Sequence, residues 1–206
     1  MSNYEIRKLA REKLGGSIFH NMWLMALVAY LVYSAIAGAA SYVGIGIIFL
    51  GCLEYGYYNL HLDLVRGKSE IDLSDCFSGF KCFSRSLVLG ILQYIFIFLW
   101  SLLFIIPGIV KSYSYAMSYY IAKDHPEYTP QQCITESRRI MEGRKMDLFL
   151  LDLSFIGWIL LSALTCGIGF LWVGPYQMTA RAAFYYDLVG MPASAEYDCG
   201  DTTEAI

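Results

Sequence analysis

Apolar residues fall in long runs along this chain, and polar residues fall mainly in short segments between the runs. The stretch FIFLWSLLFIIPGIVKSYSYAMSYYIAK, residues 96–123, is apolar and aromatic up to Ile106, breaks at Pro107 and Gly108, and then continues largely apolar. A helix needs about 20 mostly apolar residues to cross a bilayer. The pattern therefore predicts pairs of spanning helices joined by tight turns, with Pro107 and Gly108 forming one turn.

The other runs have similar lengths and give about six predicted spans, arranged as three helical hairpins. Their approximate limits are Asn21–Ala40, 47–66, Leu87–Ile106, Gly108–Ala122, Met146–Leu164 and Phe170–Leu188. The composition agrees, since only 16% of residues are charged, against roughly a quarter in ordinary globular chains. We therefore expect an all-α polytopic integral membrane protein.

An amphipathic surface helix is predicted in front of each hairpin. Ser2 with Glu5 and Thr129 with Gln132 have the spacing of capping boxes, and Asp72 is a candidate cap for the middle helix. One face of each helix is marked by residues at helical spacing. These faces are Ile6, Leu9, Ala10 and Leu14; Leu73, Cys76, Phe77 and Phe80; and Cys133, Ser137, Ile140 and Met141. Basic residues beside the first face favour a helix lying on a membrane surface.

The chain is predicted to be a single helical membrane domain, residues 1–190, followed by an acidic disordered tail, 191–206. Surface helix, span, turn and span recur three times, in units of about 1–68, 69–126 and 127–190. Three hairpins can arise by chance in any six-span protein. The pattern therefore leaves open whether these units are a true repeat.

Charge placement predicts the orientation. Residues 1–20, 63–86 and 123–145 carry four, four and five of the 15 Lys and Arg residues, whereas the turns within the hairpins carry none. Cytoplasmic loops of membrane proteins are enriched in Lys and Arg. We therefore expect both termini and both long connections to lie in the cytoplasm.

Two stretches of the sequence resemble a known family. They are FLWSLLFIIPGIVKSYSYAMSYYIAKDHPE, from Phe98, and DLFLLDLSFIGWILLSALTCGIGFLWVGPYQMTARAAFYYDL, from Asp147. Their most specific parts are the Pro107-Gly108 turn and a second predicted turn at Gly174 and Pro175. They are similar to the bacterial membrane proteins grouped as domain of unknown function 975. The resemblance covers nearly the whole chain and implies a multi-pass protein of the bacterial cytoplasmic membrane, but no activity, cofactor or catalytic residue.

Four charged residues lie inside predicted spans, where a central charge costs roughly 2.5–3.5 kcal/mol on insertion scales. Glu54 and Lys111 each lie twelve residues before a basic residue at the cytoplasmic boundary. At about 1.5 Å per residue, both are about 18 Å from that boundary and could pair if their helices touch. Lys111 could instead reach the outer headgroups by snorkelling.

Asp152 and Arg181 share a second depth, nearer the predicted cytoplasmic side. Two interpretations of the four charges stay open. We favour two structural ion pairs that fix the register of the helices. The other interpretation is a polar cavity that binds or conducts a ligand.

Tyrosines concentrate in the second, fourth and sixth predicted spans. They are Tyr55, Tyr57, Tyr58, Tyr113, Tyr115, Tyr119, Tyr120, Tyr176, Tyr185 and Tyr186. Tyrosines near the ends of spans suit an interfacial belt, and those at mid-depth are expected to face inward. We expect belt and packing roles in preference to a ligand cage.

The sequence contains no recognisable catalytic, metal or cofactor motif. His61, Asp63 and Asp187 are the only weak candidates for a lipid-active enzyme. We therefore expect a non-catalytic transporter-like or ligand-binding bundle with no cofactor, no metal and no nucleic acid partner. An accessory or immunity-type partner of a larger complex is the alternative. The expected partners are the lipid bilayer and another membrane protein or a second copy of the chain.

Overall fold

Eleven α-helices and one 3-10 helix make up the described part of the chain, residues 2–15, 21–42, 46–68, 72–103, 105–165, 167 and 169–190 of a computed structural model. The helices are α1 Asn3–Lys13, α2 Asn21–Tyr42, α3 Gly46–Arg66, α4 Ser78–Lys81, α5 Phe83–Leu103, α6 Ile105–Tyr115, α7 Ser118–Asp124, α8 Pro130–Ile140, α9 Lys145–Leu153, α10 Ile156–Leu164 and α11 Phe170–Val189. The 3-10 helix, Leu73–Phe77, precedes α4. The predicted all-α class is confirmed. The predicted disordered tail lies outside the described residues.

The predicted spans coincide with α2, α3, α5, α6 with α7, α9 with α10, and α11. Two of them are interrupted, which the sequence pattern did not predict. Ala116 and Met117 separate α6 from α7, and Ser154 and Phe155 separate α9 from α10. The fourth and fifth predicted spans are therefore broken helices.

Two helical segments among the described residues are both long enough and apolar enough to cross a membrane. They are Phe83–Leu102 and Lys145–Leu164, and the apolar segment Met22–Gly38 is shorter. The helices α3 and α11 carry buried polar residues such as Asn59, His61 and Thr179, which lower their mean hydropathy. The six-span arrangement therefore stays a prediction.

Both predicted turns are wrong in their position. α5 ends at Leu103 and α6 begins at Ile105, so Pro107 and Gly108 lie in the first turn of α6. Proline is tolerated there because the N–H groups of a first turn have no helical partner. Gly174 and Pro175 also do not form a turn, because they lie inside α11.

The Gly174-Pro175 pair has a packing role. A Cβ at Gly174 would lie 2.6 Å from the ring of Tyr30, so glycine allows α2 to approach α11 closely. Pro175 is the sixth residue of α11 and removes one hydrogen bond near its start. The helix continues past it for another 14 residues, to Val189.

α3 is the central helix of the fold. It contacts α2, α5, α7, α11 and the segment formed by the 3-10 helix and α4. α3 is buried along most of its length, whereas α2, α5 and the α9–α10 pair form the outside of the bundle. Their exposed residues are largely apolar, as are those of α6, and Leu102, Ile106 and Leu164 are 73%, 76% and 81% exposed.

Equivalent helices of the three predicted units make equivalent contacts in cyclic order. α1 packs against α11 and α9, the segment before α5 packs against α3 and α2, and α8 packs against α7 and α5. Across units, α3 contacts α5, α6 contacts α9, and α11 contacts α2. Each predicted unit therefore packs against the next one, and the third packs against the first.

The capping boxes of α1 and α8 are confirmed. Glu5 accepts a hydrogen bond from the backbone N–H of Ser2 at 2.6 Å, and Gln132 accepts one from Thr129 at 2.7 Å. The predicted inner face of α1 is buried at Ile6, Ala10 and Leu14. This face packs against the bundle, chiefly against α11, and is not exposed.

The predicted face of the middle surface helix is wrong in part. Phe77 and Phe80 are 40% and 41% exposed, whereas Cys76 and Gly79 are buried. The reason is a close backbone approach between this segment and α3, which only small residues allow. A Cβ at Gly79 would lie 1.9 Å from the Cys52 carbonyl oxygen.

Candidate functional site

A cavity of about 400 Å³ lies between α3, α5, α6, α7 and α11. Its lining combines charged, amide, hydroxyl and phenol groups with apolar side chains. The lining residues are Glu54, Tyr58, Gln93, Tyr94, Ile97, Ile109, Ser112, Tyr113, Ala116, Tyr119 and Arg181. The volume lies within the range typical of small-molecule sites.

Glu54 projects from α3 into this cavity and is held by two tyrosines. The Tyr94 hydroxyl donates to Glu54 Oε1 at 2.5 Å, and the Tyr119 hydroxyl donates to Oε2 at 2.9 Å. Both donors are neutral. Glu54 therefore has oriented hydrogen bonds but no cationic partner among the described side chains.

Lys111 is not the partner of Glu54. Its ammonium lies 4.6 Å from the centre of the Trp100 ring, in a cation–π contact between α6 and α5. The predicted pairing of Glu54 with Lys111 is wrong. Equal depth is not enough, because the Lys111 side chain contacts Trp100 of α5, whereas Glu54 is bound by tyrosines of α5 and α7.

Asp152 and Arg181 do form an ion pair. The guanidinium donates from Nε to Oδ1 at 3.0 Å and from Nη2 to Oδ2 at 2.6 Å. Tyr113 and Gln177 also donate to this carboxylate, at 3.1 and 3.2 Å. The pair joins α9 to α11, as the structural interpretation predicts, and Arg181 also contributes to the cavity wall.

The break between α6 and α7 shapes the cavity wall, because the wall includes residues on both sides of it. Ser137 of α8 occupies the break: its hydroxyl donates to the Ser114 carbonyl at 2.8 Å and accepts from the Met117 N–H at 3.3 Å. The Gln93 amide donates to the Tyr115 carbonyl at 3.1 Å. Backbone groups freed by the break therefore have side-chain partners.

A second polar cluster joins the C-terminal parts of α3, α7 and α11. Arg66 donates to Asp124 Oδ2 at 2.6 Å, and the Tyr185 hydroxyl donates to the same oxygen at 2.7 Å. Lys123 pairs with Asp63 beside them. Asp63 and Arg66 lie nine and twelve residues beyond Glu54 along α3, about 14 and 18 Å at 1.5 Å per residue.

The three weak candidates for a lipid-active enzyme are not brought together. His61 Nδ1 lies 2.9 Å from the Thr179 hydroxyl, in the buried interior. Asp63 pairs with Lys123, and Asp187 lies 3.6 Å from Arg144. Across the described ranges, no group of three or more His, Cys, Asp or Glu side chains is placed to hold a metal ion.

A family model described as protein of unknown function (DUF975) matches residues 1–111 and 102–191. The chain belongs to the DUF975 family. The resemblance seen in the sequence is thereby confirmed. Neither a curated protein nor a solved structure matches the chain.

The sequence analysis of this DUF975 protein did not single out three polar cavity residues, namely Gln93, Tyr94 and Ser112. A signal for the first two was present, since they are adjacent polar groups in the otherwise apolar stretch 87–100 of α5. Tyr58, Tyr113 and Tyr119 were assigned to belt and packing roles. All three line the cavity, a position that the sequence pattern did not predict.

Proposed function

We propose that this DUF975 chain is a multi-pass protein of the bacterial cytoplasmic membrane that takes a small molecule into the Glu54 cavity. In this proposal the chain crosses the bilayer six times, has both termini in the cytoplasm, and works as a transporter-like or ligand-binding bundle. The observation that carries it is a polar, charged cavity inside a bundle whose outer helices expose apolar side chains.

The exposed apolar surface supports the membrane part of the proposal. Large apolar side chains are exposed along α5, α6, α9 and α10, with Leu102, Ile106 and Leu164 as the extreme cases. Contiguous apolar surface of this kind is rare on soluble monomers and is the surface that lipid chains solvate. The Lys and Arg residues that precede α5 and α9 support a cytoplasmic position for those connections.

The placement of charge and the broken helix support the ligand-binding part. Ionisable residues within spans face the interior or a cavity and mark binding sites and ion pathways. In many transporters the site lies where a helix is interrupted near the middle of the membrane. Here Tyr113 and Tyr119 lie on either side of the α6–α7 break and both line the cavity with Glu54.

Thiol accessibility in native membranes tests the proposal. Ser112 lines the cavity, whereas Ser114, two residues along the same helix, is 1% exposed and outside the lining. We expect Ser112→Cys to react with a small water-soluble methanethiosulfonate above the level of the parent chain, and Ser114→Cys not to react. Ser114→Cys is the matched control, because it makes the same substitution at a buried position of the same helix.

The same membranes show whether the chain is integral. We expect it to stay in the pellet after extraction at alkaline pH and to be released by detergent. An impermeant reagent should reach a cysteine placed at exposed Glu142, in the connection after α8, only from the cytoplasmic side. Release without detergent, an external position for this connection, or an unreactive Ser112→Cys would each overturn the proposal.

A further inference from the structure

The Glu54 carboxyl lies in the cavity, and no described cationic side chain is paired with it. Its oxygens accept hydrogen bonds from the Tyr94 and Tyr119 hydroxyls, which are neutral groups. Arg181 is bound through two nitrogens to Asp152, and Lys111 lies against Trp100. A carboxylate removed from bulk water is costly unless a counter-ion meets it, so this cavity is suited to a cation.

Aromatic rings surround the same carboxylate. Tyr58, Tyr94, Tyr113 and Tyr119 all line the cavity, and the rings of Tyr58 and Tyr119 stack with their centroids 5.4 Å apart. The faces of aromatic rings attract ammonium groups within about 6 Å. Carboxylate and phenol rings together form the chemistry that recognises an organic ammonium ion.

The size and lining of the cavity argue for an organic ion and against a bare metal ion. Its volume is about 400 Å³, whereas one water molecule occupies about 30 Å³. Glu54 is the one carboxylate in the lining, and Ca²⁺ takes about six to eight oxygen ligands. Ile97, Ile109 and Ala116 supply apolar wall, which suits a carbon skeleton.

We propose that the Glu54 cavity binds a small protonated amine with an apolar body, an inference that rests on the ligand-binding function proposed above. The ammonium group donates to Glu54 and lies against the rings of Tyr58 and Tyr119. The carbon skeleton packs against Ile97 and Ile109. The hydroxyls of Tyr94 and Tyr119 position the carboxylate and leave its remaining lone pairs for the ligand.

Binding of phenethylammonium to the purified full chain in a nonionic detergent tests this proposal. We expect saturable binding in equilibrium dialysis. Neutral phenethyl alcohol and anionic phenylacetate carry the same ring, and we expect each to bind about tenfold more weakly or worse, a difference of about 1.4 kcal/mol. This comparison uses the unaltered chain, so it does not depend on the folding of a variant.

Two variants locate the site. We expect Glu54→Gln, which keeps the shape of the side chain, to weaken phenethylammonium binding by about tenfold or more and to leave phenethyl alcohol binding unchanged. Glu136→Gln is the matched control. Glu136 lies on α8 outside the cavity, where the hydrogen bond from Arg139 lowers the pKa of its carboxyl, so this control also replaces a carboxylate by an amide.

Three results would overturn the inference. They are absence of saturable amine binding, equal binding of the three probes, and full amine binding by a monodisperse Glu54→Gln variant. If phenylacetate binds more strongly than phenethylammonium, the site binds anions near Arg181, and this result would also overturn the inference. A failure of the proposed function is distinguishable, since the chain would then leave the membrane without detergent or Ser112→Cys would not react.

Discussion

At the scale of single residues, two glycines hold α3 and the segment before α5 in direct backbone contact. A Cβ at Gly56 would lie 1.9 Å from the Cys76 carbonyl oxygen, and a Cβ at Gly79 would lie 1.9 Å from the Cys52 carbonyl oxygen. Each backbone therefore lies against a glycine of the other. Glu54, which lines the cavity, lies two residues from Gly56 on the same helix.

Replacing Gly56 by alanine should destabilise the protein. The added methyl must displace backbone, and overpacking of this kind costs about 1–3 kcal/mol or more. We expect a lower thermal midpoint in detergent, measured by circular dichroism, and loss of monodispersity on gel filtration.

Gly157→Ala is the control for this change, since nothing lies within 4 Å of a Cβ at that helical position. Alanine is favoured over glycine in a helix by about 1 kcal/mol. The control should therefore match or exceed the parent midpoint. Equal midpoints for Gly56→Ala and the parent would contradict the close contact.

At the scale of elements, α8 was predicted as a surface helix, but one of its faces is buried in the bundle. Its Ser137 accepts from one residue and donates to another across the α6–α7 break, where a continuous helix would make its own bonds. Cys133 and Ile134 are buried beside it. The break, and with it the arrangement of Tyr113 and Tyr119 around the cavity, therefore depends on a helix from the next unit.

Ser137→Ala should loosen this junction. A buried N–H and carbonyl left without a partner cost about 1–3 kcal/mol, here at Met117 and Ser114. We expect a lower thermal midpoint and faster amide exchange over residues 114–118 in deuterium-exchange mass spectrometry.

Thr135→Ala is the control, because it changes the same helix and leaves the α6–α7 break intact. The Thr135 hydroxyl donates to the Gln131 carbonyl on the exposed face of α8. This variant should leave both measurements unchanged. If the two variants behave alike, Ser137 does not hold the break.

At the scale of the whole molecule, the contacts close into a ring. The helix that opens the first unit, α1, packs against α11 and α9 of the third, as α8 packs against α7 and α5 of the second. The starts of α6 and α11 also have matching glycine–serine contacts. A Cβ at Gly108 would meet Ser101, and one at Gly169 would meet Ser162, at the same spacing of seven residues. The threefold repeat stays a prediction, and these equivalences support it.

A circular permutant tests the ring. We expect a chain that begins at residue 69, and joins residue 206 to residue 1, to be inserted in membranes and to run as one species in detergent. Each unit begins and ends at the same side in our topology, so any unit can come first. The tail provides 16 residues of linker, about 50 Å when extended.

A permutant opened within α5, between residues 93 and 94, is the control and should aggregate, because it divides a helix. Aggregation of both chains would show that the order of the units matters and that the ring does not close as the contacts indicate.

The sequence by itself determined that the chain is helical and where most of its helical segments lie. Long apolar runs, capping boxes at Ser2 and Thr129, and the spacing of Ile6, Ala10 and Leu14 are local properties that need no knowledge of neighbours. Caps and apolar faces depend on distance along one helix, which the sequence states directly. Shared depth allowed both Asp152 with Arg181 and Glu54 with Lys111, and only the first pair forms.

Only the tertiary structure decided which side chains meet. The rotation of each helix is set by close contacts such as that between Gly51 and Gly90, where a Cβ on Gly90 would lie 2.7 Å from the other glycine. That rotation directs Tyr94 and Tyr119 to Glu54 and Lys111 to Trp100. A cavity exists between helices, so its lining depends on contacts that no single stretch of sequence contains.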